Sequence, residues 1–566
     1  MTTATTSRPI LWSIAGLDTA GGAGLSADQR AADAMGVHLC PVIAAMTAQH
    51  SQGVDAVMPV PEASLQAQLQ ALTEDLPPRA IKTGLLGSVA AVRLVAQCVD
   101  HVRAQAPAGT DPHRHLALVV DPVLGASAGG RSFADAAVRD AMRAWLLPRA
   151  TVLTPNRAEA RALLNLAGGH GGPRDEVPAL AAALRALGAR SVVITGGDAP
   201  DDIAHSTGSG WCLDWLDTPQ AQGWLCAPRL PAPHHHGSGC TFASGVASAW
   251  ALGHLDADAV VLAHMLTRHA LAQGHAAGRG VGPVKATAGF AAGMAQGGAA
   301  LPWLGLGTDL PWRLQPALGT SHAHTDAPLF APFAPPTDGL YGILPNQPQL
   351  KAALDAGVRC VQLRHKPTEG LQAQLDASLA DATRVGAQLF VNDHWRAALA
   401  LPPRVDVEPG FRLGVHLGQD DLQALDADDR TRLLAERDRI MLGLSSHSLW
   451  ELSRAVGCGA SLIACGPVQP TTTKDMPWRP QGEDNLRWWL AHSPVPVVAI
   501  GGLLTPADLQ RHAACGPHAL CVVRALGSDA QAMRGAVPAL RTAVHRGRRD
   551  ASDDRDAALS LPHPVL

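Results

Sequence analysis

Paired cysteines are missing from this chain. Its ten cysteines are scattered, with no C-x-x-C pair, which argues against a disulfide framework or a zinc site and for reduced thiols in a cytoplasmic protein. A long apolar run is missing too: nothing approaches the roughly 20 residues of a membrane span. The polar stretch Met1 to Pro9 lacks the apolar core of a secretory signal. There is no charge excess. The formal net charge is −4, so neither nucleic acid nor a membrane surface is expected as a partner. No internal repeat is visible beyond an alternation of strands and helices. What is present is 566 residues at 47% hydrophobic content, too many for one core and too apolar for disorder. Two or more α/β domains are expected. The oligomeric state, including a homo-oligomer, and the relative placement of the domains stay open.

Residues 10 to about 288 alternate short β-like runs with helical stretches. The runs include Ile10 to Ile14, Val37 to Met46, Leu116 to Val120, Thr151 to Leu153 and Ser191 to Ile194. This is the βαβ pattern of a mostly parallel sheet covered by helices. Trp211 to Leu216 and Gly223 to Cys226 read as a late hairpin. Two glycine clusters stand out. Gly16-Leu17-Asp18 followed by Gly21-Gly22-Ala23-Gly24 lets backbone approach a ligand. Gly237-Ser238-Gly239-Cys240-Thr241 opens an apolar helix, so backbone N–H groups and the helix N-terminus favour an anion there. A thiol at that place is expected to have a lowered pKa. The three histidines 234–236 just before it read as solvated loop residues.

From 289 to 337 Gly, Pro, Ala and His dominate, and this stretch reads as a partly Pro-stiffened linker, of which Trp303 and Trp312 suggest that a part packs on a domain. Residues 338–546 hold eight strand-like runs, several ending in charged or small polar residues: Gln362 with Arg364 and Lys366, Asn392-Asp393, Gly418-Gln419-Asp420-Asp421, Ser445, Thr471-Thr472-Thr473-Lys474 and Gly501-Gly502. A (β/α)8 barrel (TIM barrel) produces this spacing, because its site is built from the C-terminal ends of its strands. Carboxylates suit a hard divalent cation, while Lys, Arg, hydroxyls and paired glycines suit phosphate. A metal-bound phosphate or diphosphate substrate is expected. The tail 547–566 reads as disordered.

Over most of 10–288 the chain resembles hydroxymethylpyrimidine/phosphomethylpyrimidine kinases of the ribokinase-like superfamily, which have a three-layer α/β/α fold. The residues that carry this are Ala15-Gly16-Leu17-Asp18 with Gly21-Gly22-Ala23-Gly24, Ala27-Asp28, Thr47-Ala48-Gln49, Val120-Asp121-Pro122-Val123, Thr154-Pro155-Asn156 with Glu159, Gly196-Gly197, Gly237-Ser238-Gly239-Cys240-Thr241 and Gly280-Val281-Gly282-Pro283-Val284. The resemblance implies that Gly16, Asp28, Thr47 and Gln49 bind the pyrimidine and that Cys240 is the catalytic base for its hydroxyl. It implies that Asn156, Glu159, Gly237 and Gly239 organise ATP with Mg2+. Fold resemblance alone leaves a pyridoxal-type kinase open as an alternative, and Thr195, standing where the family often has lysine before the Gly-Gly pair, leaves open a non-catalytic pyrimidine-binding module.

Over nearly all of 338–546 the strand-end set, with His416-Leu417 before Gly418 and Gly466-Pro467-Val468 before Thr471, resembles thiamine phosphate synthase. The resemblance implies that Asp393 and Asp421 hold Mg2+ and that Arg364, Lys366, Asn392 and Lys474 contact a diphosphate, with Arg364 and Lys474 acting in catalysis. Ser445 would help orient the diphosphate, and Gln362 would line the substrate site. Thr471, Thr473, Gly501 and Gly502 would bind thiazole phosphate. Residues 402–411 form an insertion, and Arg524 stands where serine is usual. The two resemblances together imply a bifunctional enzyme of thiamine biosynthesis that uses small-molecule substrates, ATP and Mg2+.

Overall fold

The computed structural model describes residues 8–125, 135–166, 174–197, 210–315, 327–401, 410–471, 478–551 and 559–566. They form two compact units that divide between Leu310 and Pro311. The first unit is built on a ten-stranded sheet: β1 (Ile10–Leu17), β2 (His38–His50), β3 (Gly53–Pro59), β4 (Ala80–Thr83), β5 (Ala117–Val120), β6 (Val152–Leu153), β7 (Ser191–Ile194), β8 (Trp211–Asp217), β9 (Gln222–Pro228) and β10 (Trp303–Leu304). Their order is β10-β9-β8-β7-β6-β5-β4-β1-β2-β3. The centre, from β7 to β2, is parallel, and the edge strands β3, β8, β9 and β10 pair antiparallel. The parallel sheet expected from the sequence is thus present.

The chain leaves β1 for β2 on one side and returns to β4 on the other. That reversal opens a crevice at the carboxyl ends of β1 and β4, the place where open α/β sheets bind ligands. The sequence runs named above did not include β4. Its four residues, Ala-Ile-Lys-Thr, contain a lysine, yet all four are buried.

The second unit is a closed parallel barrel of β11 (Leu340–Leu344), β12 (Cys360–Leu363), β13 (Gln388–Val391), β14 (Arg412–Leu417), β15 (Ile440–Ser446), β16 (Leu462–Cys465), β17 (Val497–Ala499) and β18 (Ala519–Val522), with β18 paired back to β11. Tyr341, Ile343, Phe390, Met441, Leu462 and Val498 fill its interior, as alternate inward residues do in a barrel of this size.

Two segments pack more than the sequence suggested. In the stretch 289–337 the packing expected at Trp303 and Trp312 is present and extends further. Residues up to Leu310 belong to the first unit and supply β10. Beyond Pro311 the described residues pack on the barrel, where Arg313 donates to the Val456 carbonyl at 2.9 Å. The Ser461 hydroxyl donates to the Ala331 carbonyl at 2.7 Å. Phe333 joins the barrel core, its ring 6.2 Å from that of Phe390. High Pro and Gly content disguised this plug, and its few apolar residues do the packing. Replacing Phe333 with Ala is expected to cost about 3–5 kcal/mol. Chemical denaturation of the barrel checks this, and an unchanged midpoint would remove the segment from the core.

The tail also differs. A helix runs on to Asp550, and residues 559–566 dock again. His563 N–H donates to Asn485 Oδ1 at 2.8 Å, Arg479 N–H donates to the Val565 carbonyl at 2.8 Å, and Val565 is buried. Of the insertion at 402–411, residues 402–409 lie outside the described residues. Among the described residues, no helix is long and apolar enough to cross a membrane.

Candidate active sites

In the first unit the glycine clusters meet at the crevice. Gly24 has φ +53°, and a Cβ there would lie 2.1 Å from the Gly16 carbonyl oxygen. Gly237 has φ +84°, and a Cβ there would lie 2.1 Å from the Gly22 carbonyl oxygen. Only glycine fits at either point. The two loops therefore lie against each other, and the helix Ser238–Ala251 starts beside the end of β1. A Cβ at Gly239 would meet nothing within 4 Å.

Beneath this loop pair lies a buried charged cluster. Lys82 on β4 is fully buried and donates to both oxygens of Asp28, at 3.0 and 3.1 Å. Its Nζ is 3.7 Å from Asp121, at the end of β5. Asp28 also accepts from Ser13 at 2.6 Å and from Ser244 at 2.7 Å. Burial works against the ammonium, but Asp28, Cys240 and Asp121 raise the Lys82 pKa, so it stays charged. Burial and the Asp28 charge raise the Asp121 pKa, against the pull of Lys82 and the neighbouring Cys240.

The lowered pKa expected for Cys240 is not found. Burial pushes its thiol up to about 12, helped by Asp121 and Asp28 and opposed by Lys82 and the Gly24 N–H. Desolvation of a thiolate outweighs the helix terminus. Val123, two residues past Asp121, is held at φ +43°. That is a strained place for a β-branched residue, of a kind that gathers at functional sites.

The structure redistributes the expected kinase residues. Asp28 does not open on a pocket, since it is 0% exposed and its carboxylate is fully engaged. Thr47 is buried, with its hydroxyl donated to the Leu17 carbonyl at 3.2 Å. Gln49 is half-buried and lies 3.2 Å from His236. Asn156 and Glu159 form a capping box on the helix Arg157–Leu163, and Glu159 also accepts from Leu124 N–H at 3.1 Å. Of the three histidines read as solvated, His235 is exposed. His234 accepts from Gly282 N–H at 3.1 Å, and His236 sits 2.9 Å from Asp18.

In the second unit the expected residues gather at the barrel mouth. Gln362 is buried and accepts from the Tyr341 hydroxyl at 3.2 Å. Arg364 follows β12, and its Nε is buried without a hydrogen-bond partner, a donor awaiting an acceptor. Lys366 is exposed. Asn392 donates to the His416 carbonyl at 3.4 Å. Asp393 is held at φ +59° at the end of β13. Asp421, after β14, accepts from Gly418 N–H at 2.8 Å through one oxygen. Gly501 and Gly502 have φ +94° and +74°, and Cβ atoms there would meet Pro467 and Gln469 at 2.6 and 2.3 Å. Thr471 is half-buried, and Thr473 and Lys474 lie outside the described residues.

Ser445 shares a hydrogen bond with His416 at 3.0 Å. Burial, with Arg364 adding to it, pushes the His416 pKa down to about 4, so the imidazole is neutral. The unfolded chain takes up a proton below about 6.5, while the native chain resists until about 4. Acidification through that window therefore costs stability, up to about 3 kcal/mol from this group. His416→Gln should flatten the stability-versus-pH curve of the barrel there. Equal slopes in variant and parent would contradict the assignment.

Comparison with known proteins adds to this geometry. Residues 18–285 match the phosphomethylpyrimidine kinase family and residues 344–526 the thiamine monophosphate synthase family. The thiamine biosynthetic bifunctional enzyme TH1 of Arabidopsis thaliana, chloroplastic, is 30% identical over 507 residues, which covers 88% of this chain and 85% of that one. The chain belongs to the family of bifunctional thiamine biosynthetic enzymes. Its first unit alone is 36% identical over 276 residues to a hydroxymethylpyrimidine/phosphomethylpyrimidine kinase of Streptomyces coelicolor, 93% of which is covered. A solved Bacillus subtilis pyridoxal kinase, as an ADP complex, is 28% identical, covers 50% of this chain and 98% of its own, and has a TM-score of 0.43, too low to carry an argument.

A bifunctional thiamine biosynthetic enzyme thus joins a kinase unit to a synthase unit in one chain. Several residues of its sites were missed as sites in the sequence. Lys82 was hidden in a short strand, and its partner Asp28 lies 54 positions away. Arg229 donates to the Gly197 carbonyl at 2.9 Å. This brings a cation to the Gly-Gly pair that Thr195 precedes.

Proposed function

We propose that the first unit phosphorylates 4-amino-5-hydroxymethyl-2-methylpyrimidine twice at the expense of ATP. The second unit then joins the resulting diphosphate to thiazole phosphate, giving thiamine phosphate and diphosphate. The observation that carries the first half is Cys240 at the start of a helix behind a glycine loop, beside the buried Lys82 and Asp121. The hydroxyl of the pyrimidine gives its proton to Cys240 as its oxygen takes up the phosphoryl group. Cys240 passes its own proton to Asp121, whose raised pKa suits it to receive one. The helix N-terminus and the Gly237–Gly239 backbone hold the transferring phosphoryl charge. Asn156 and Glu159, locked in their capping box, shape the loop that faces ATP.

In the second half, Arg364 offers its unpaired Nε to the diphosphate, joined by Lys366, Asn392 and Lys474. Ser445, anchored on neutral His416, orients it. Gly501 and Gly502 lend backbone N–H groups, and Thr471 and Thr473 hydroxyls, to the thiazole phosphate. The donor set fits Mg2+: two carboxylates at neighbouring strand ends, hard oxygen donors beside a phosphate site. Asp393 and Asp421 would hold the ion, which when bound supplies charge neutralisation for the departing diphosphate. The barrel shields the pyrimidine carbocation left behind from water until the thiazole nitrogen attacks. All ten cysteines are free, which supports a reducing, cytoplasmic setting.

Each half is tested on its own. The full chain with the hydroxymethylpyrimidine, ATP and Mg2+ should yield the monophosphate and then the diphosphate, followed by phosphorus NMR. With preformed diphosphate and thiazole phosphate it should yield thiamine phosphate without ATP. Binding of the pyrimidine without ATP turnover would reduce the first unit to a binding module. Phosphorylation of pyridoxal in preference to the pyrimidine would make it a pyridoxal-type kinase.

A further inference from the structure

His236 is the residue of the kinase crevice that the mechanism above leaves unused. Its backbone is tied to the Gly282–Val284 segment, with His236 N–H donating to the Gly282 carbonyl at 3.1 Å and Val284 N–H donating to the His236 carbonyl at 3.0 Å. Its ring packs on Gly22, where a Cβ would lie 2.2 Å from the imidazole. The side chain is 12% exposed. One nitrogen, Nε2, faces two groups: Asp18 at 2.9 Å and the amide nitrogen of Gln49 at 3.2 Å.

The protonation of Nε2 follows from Asp18. That carboxylate already accepts from Ala20, Gly22 and Ala23 N–H at 2.8, 3.0 and 2.8 Å. Burial opposes its charge, but the hydrogen bonds from His236, Ala23 and Ala20 prevail and lower its pKa. It is an acceptor only, so Nε2 must carry a hydrogen. A lone pair there would face the carboxylate. With an N–H at that point, an amide NH2 opposite it would set two donors face to face, so the two near-isosteric ends of the Gln49 amide are exchanged: its oxygen lies toward His236 and its NH2 is turned away. The amide oxygen keeps one lone pair beyond the one that His236 uses.

We propose that His236 is a positioning residue that fixes the rotamer of the Gln49 amide. The crevice thereby presents an N–H donor beside a carbonyl acceptor. The ligand edge complementary to that pair is a ring nitrogen next to an exocyclic amine. A 4-aminopyrimidine has this edge, whereas the 4-oxo analogue, with a ring N–H next to a carbonyl, has the reverse. His236 therefore sets selectivity for the amino form without touching it. This rests on the reading of the first unit as a pyrimidine kinase.

The test is the ratio of kcat/KM for 4-amino-5-hydroxymethyl-2-methylpyrimidine to that for its 4-oxo analogue, in the full-length protein. His236→Phe keeps the ring on Gly22 and loses the N–H. The amide is then free to turn, and the ratio should fall about tenfold, the size of one oriented hydrogen bond, through KM with kcat nearly kept. His236→Gln can still donate to Asp18 and should restore the parent ratio. If His236→Phe does not fold, His236→Leu carries the same expectation. A ratio within about twofold of the parent in the variants lacking the N–H overturns the proposal. So does an equal fall for both substrates, or a ratio that His236→Gln fails to restore. If the parent itself phosphorylates neither pyrimidine, the kinase reading falls rather than the role of His236.

Discussion

Replacing Cys240 with Ala should reduce the first phosphorylation about 10²–10⁴-fold, the range that a positioned acid–base group contributes. The synthase should be untouched. The two phosphorylations should not suffer equally. The first acceptor is a hydroxyl, which must lose a proton as it attacks. The second is a phosphate monoester, whose second pKa is about 6, so it is already anionic at neutral pH and needs no base. The second step should therefore fall far less than the first. The high pKa of the thiol does not stand against the role. Burial keeps it protonated at rest, and the neighbouring Asp121, whose own pKa is raised, gives that proton somewhere to go. Rates for the two steps, measured separately from each acceptor, check this. A first step near the parental rate would refute the assignment. Equal losses on both steps would make Cys240 a positioning residue instead of a base.

Asp393→Asn should have an effect of similar size on the other half. The change keeps the shape and removes one negative charge from the barrel mouth. Several kcal/mol of charge stabilisation depend on the metal site, so synthase turnover at limiting Mg2+ should fall by about 10²-fold or more. Excess Mg2+ should restore part of it. Kinase rates from the same sample should be unchanged. Asp393→Gly separates function from strain. Glycine adopts φ +59° without cost, so this variant should be at least as stable as the parent and still lack synthase activity. Full activity of Asp393→Asn at limiting Mg2+ would end the metal role. Loss of kinase activity as well would point to general destabilisation.

The barrel site was legible because a barrel writes its site next to its strands. Arg364, Asn392, Asp393 and Gly501 each follow a strand within a few residues, so a one-dimensional reading finds them. The kinase crevice is built otherwise. Lys82 meets Asp28 across 54 positions, and His236 meets Asp18 across 218 and Gln49 across 187. No local period signals such pairs. That is why Asp28 was placed in the pocket although the fold buries it on Lys82, and why His236 was read as solvated. The thiol pKa was misread for a related reason. A helix N-terminus is visible in sequence, but burial is not. At 289–337 the tryptophans pointed to packing, but there and in the tail composition hid single anchors such as Phe333 and Val565. One well-buried side chain is enough to fasten such a segment.

The central claim is that one chain carries out consecutive steps. The measurement that meets it most directly is a single reaction of the purified protein with hydroxymethylpyrimidine, ATP, Mg2+ and thiazole phosphate, with thiamine phosphate as the product followed. The parent should form it. Cys240→Ala and Asp393→Asn should each fail alone, and an equal mixture of the two should recover activity, since each supplies the half the other lacks. No thiamine phosphate from the parent, with ATP consumed or not, would contradict the account.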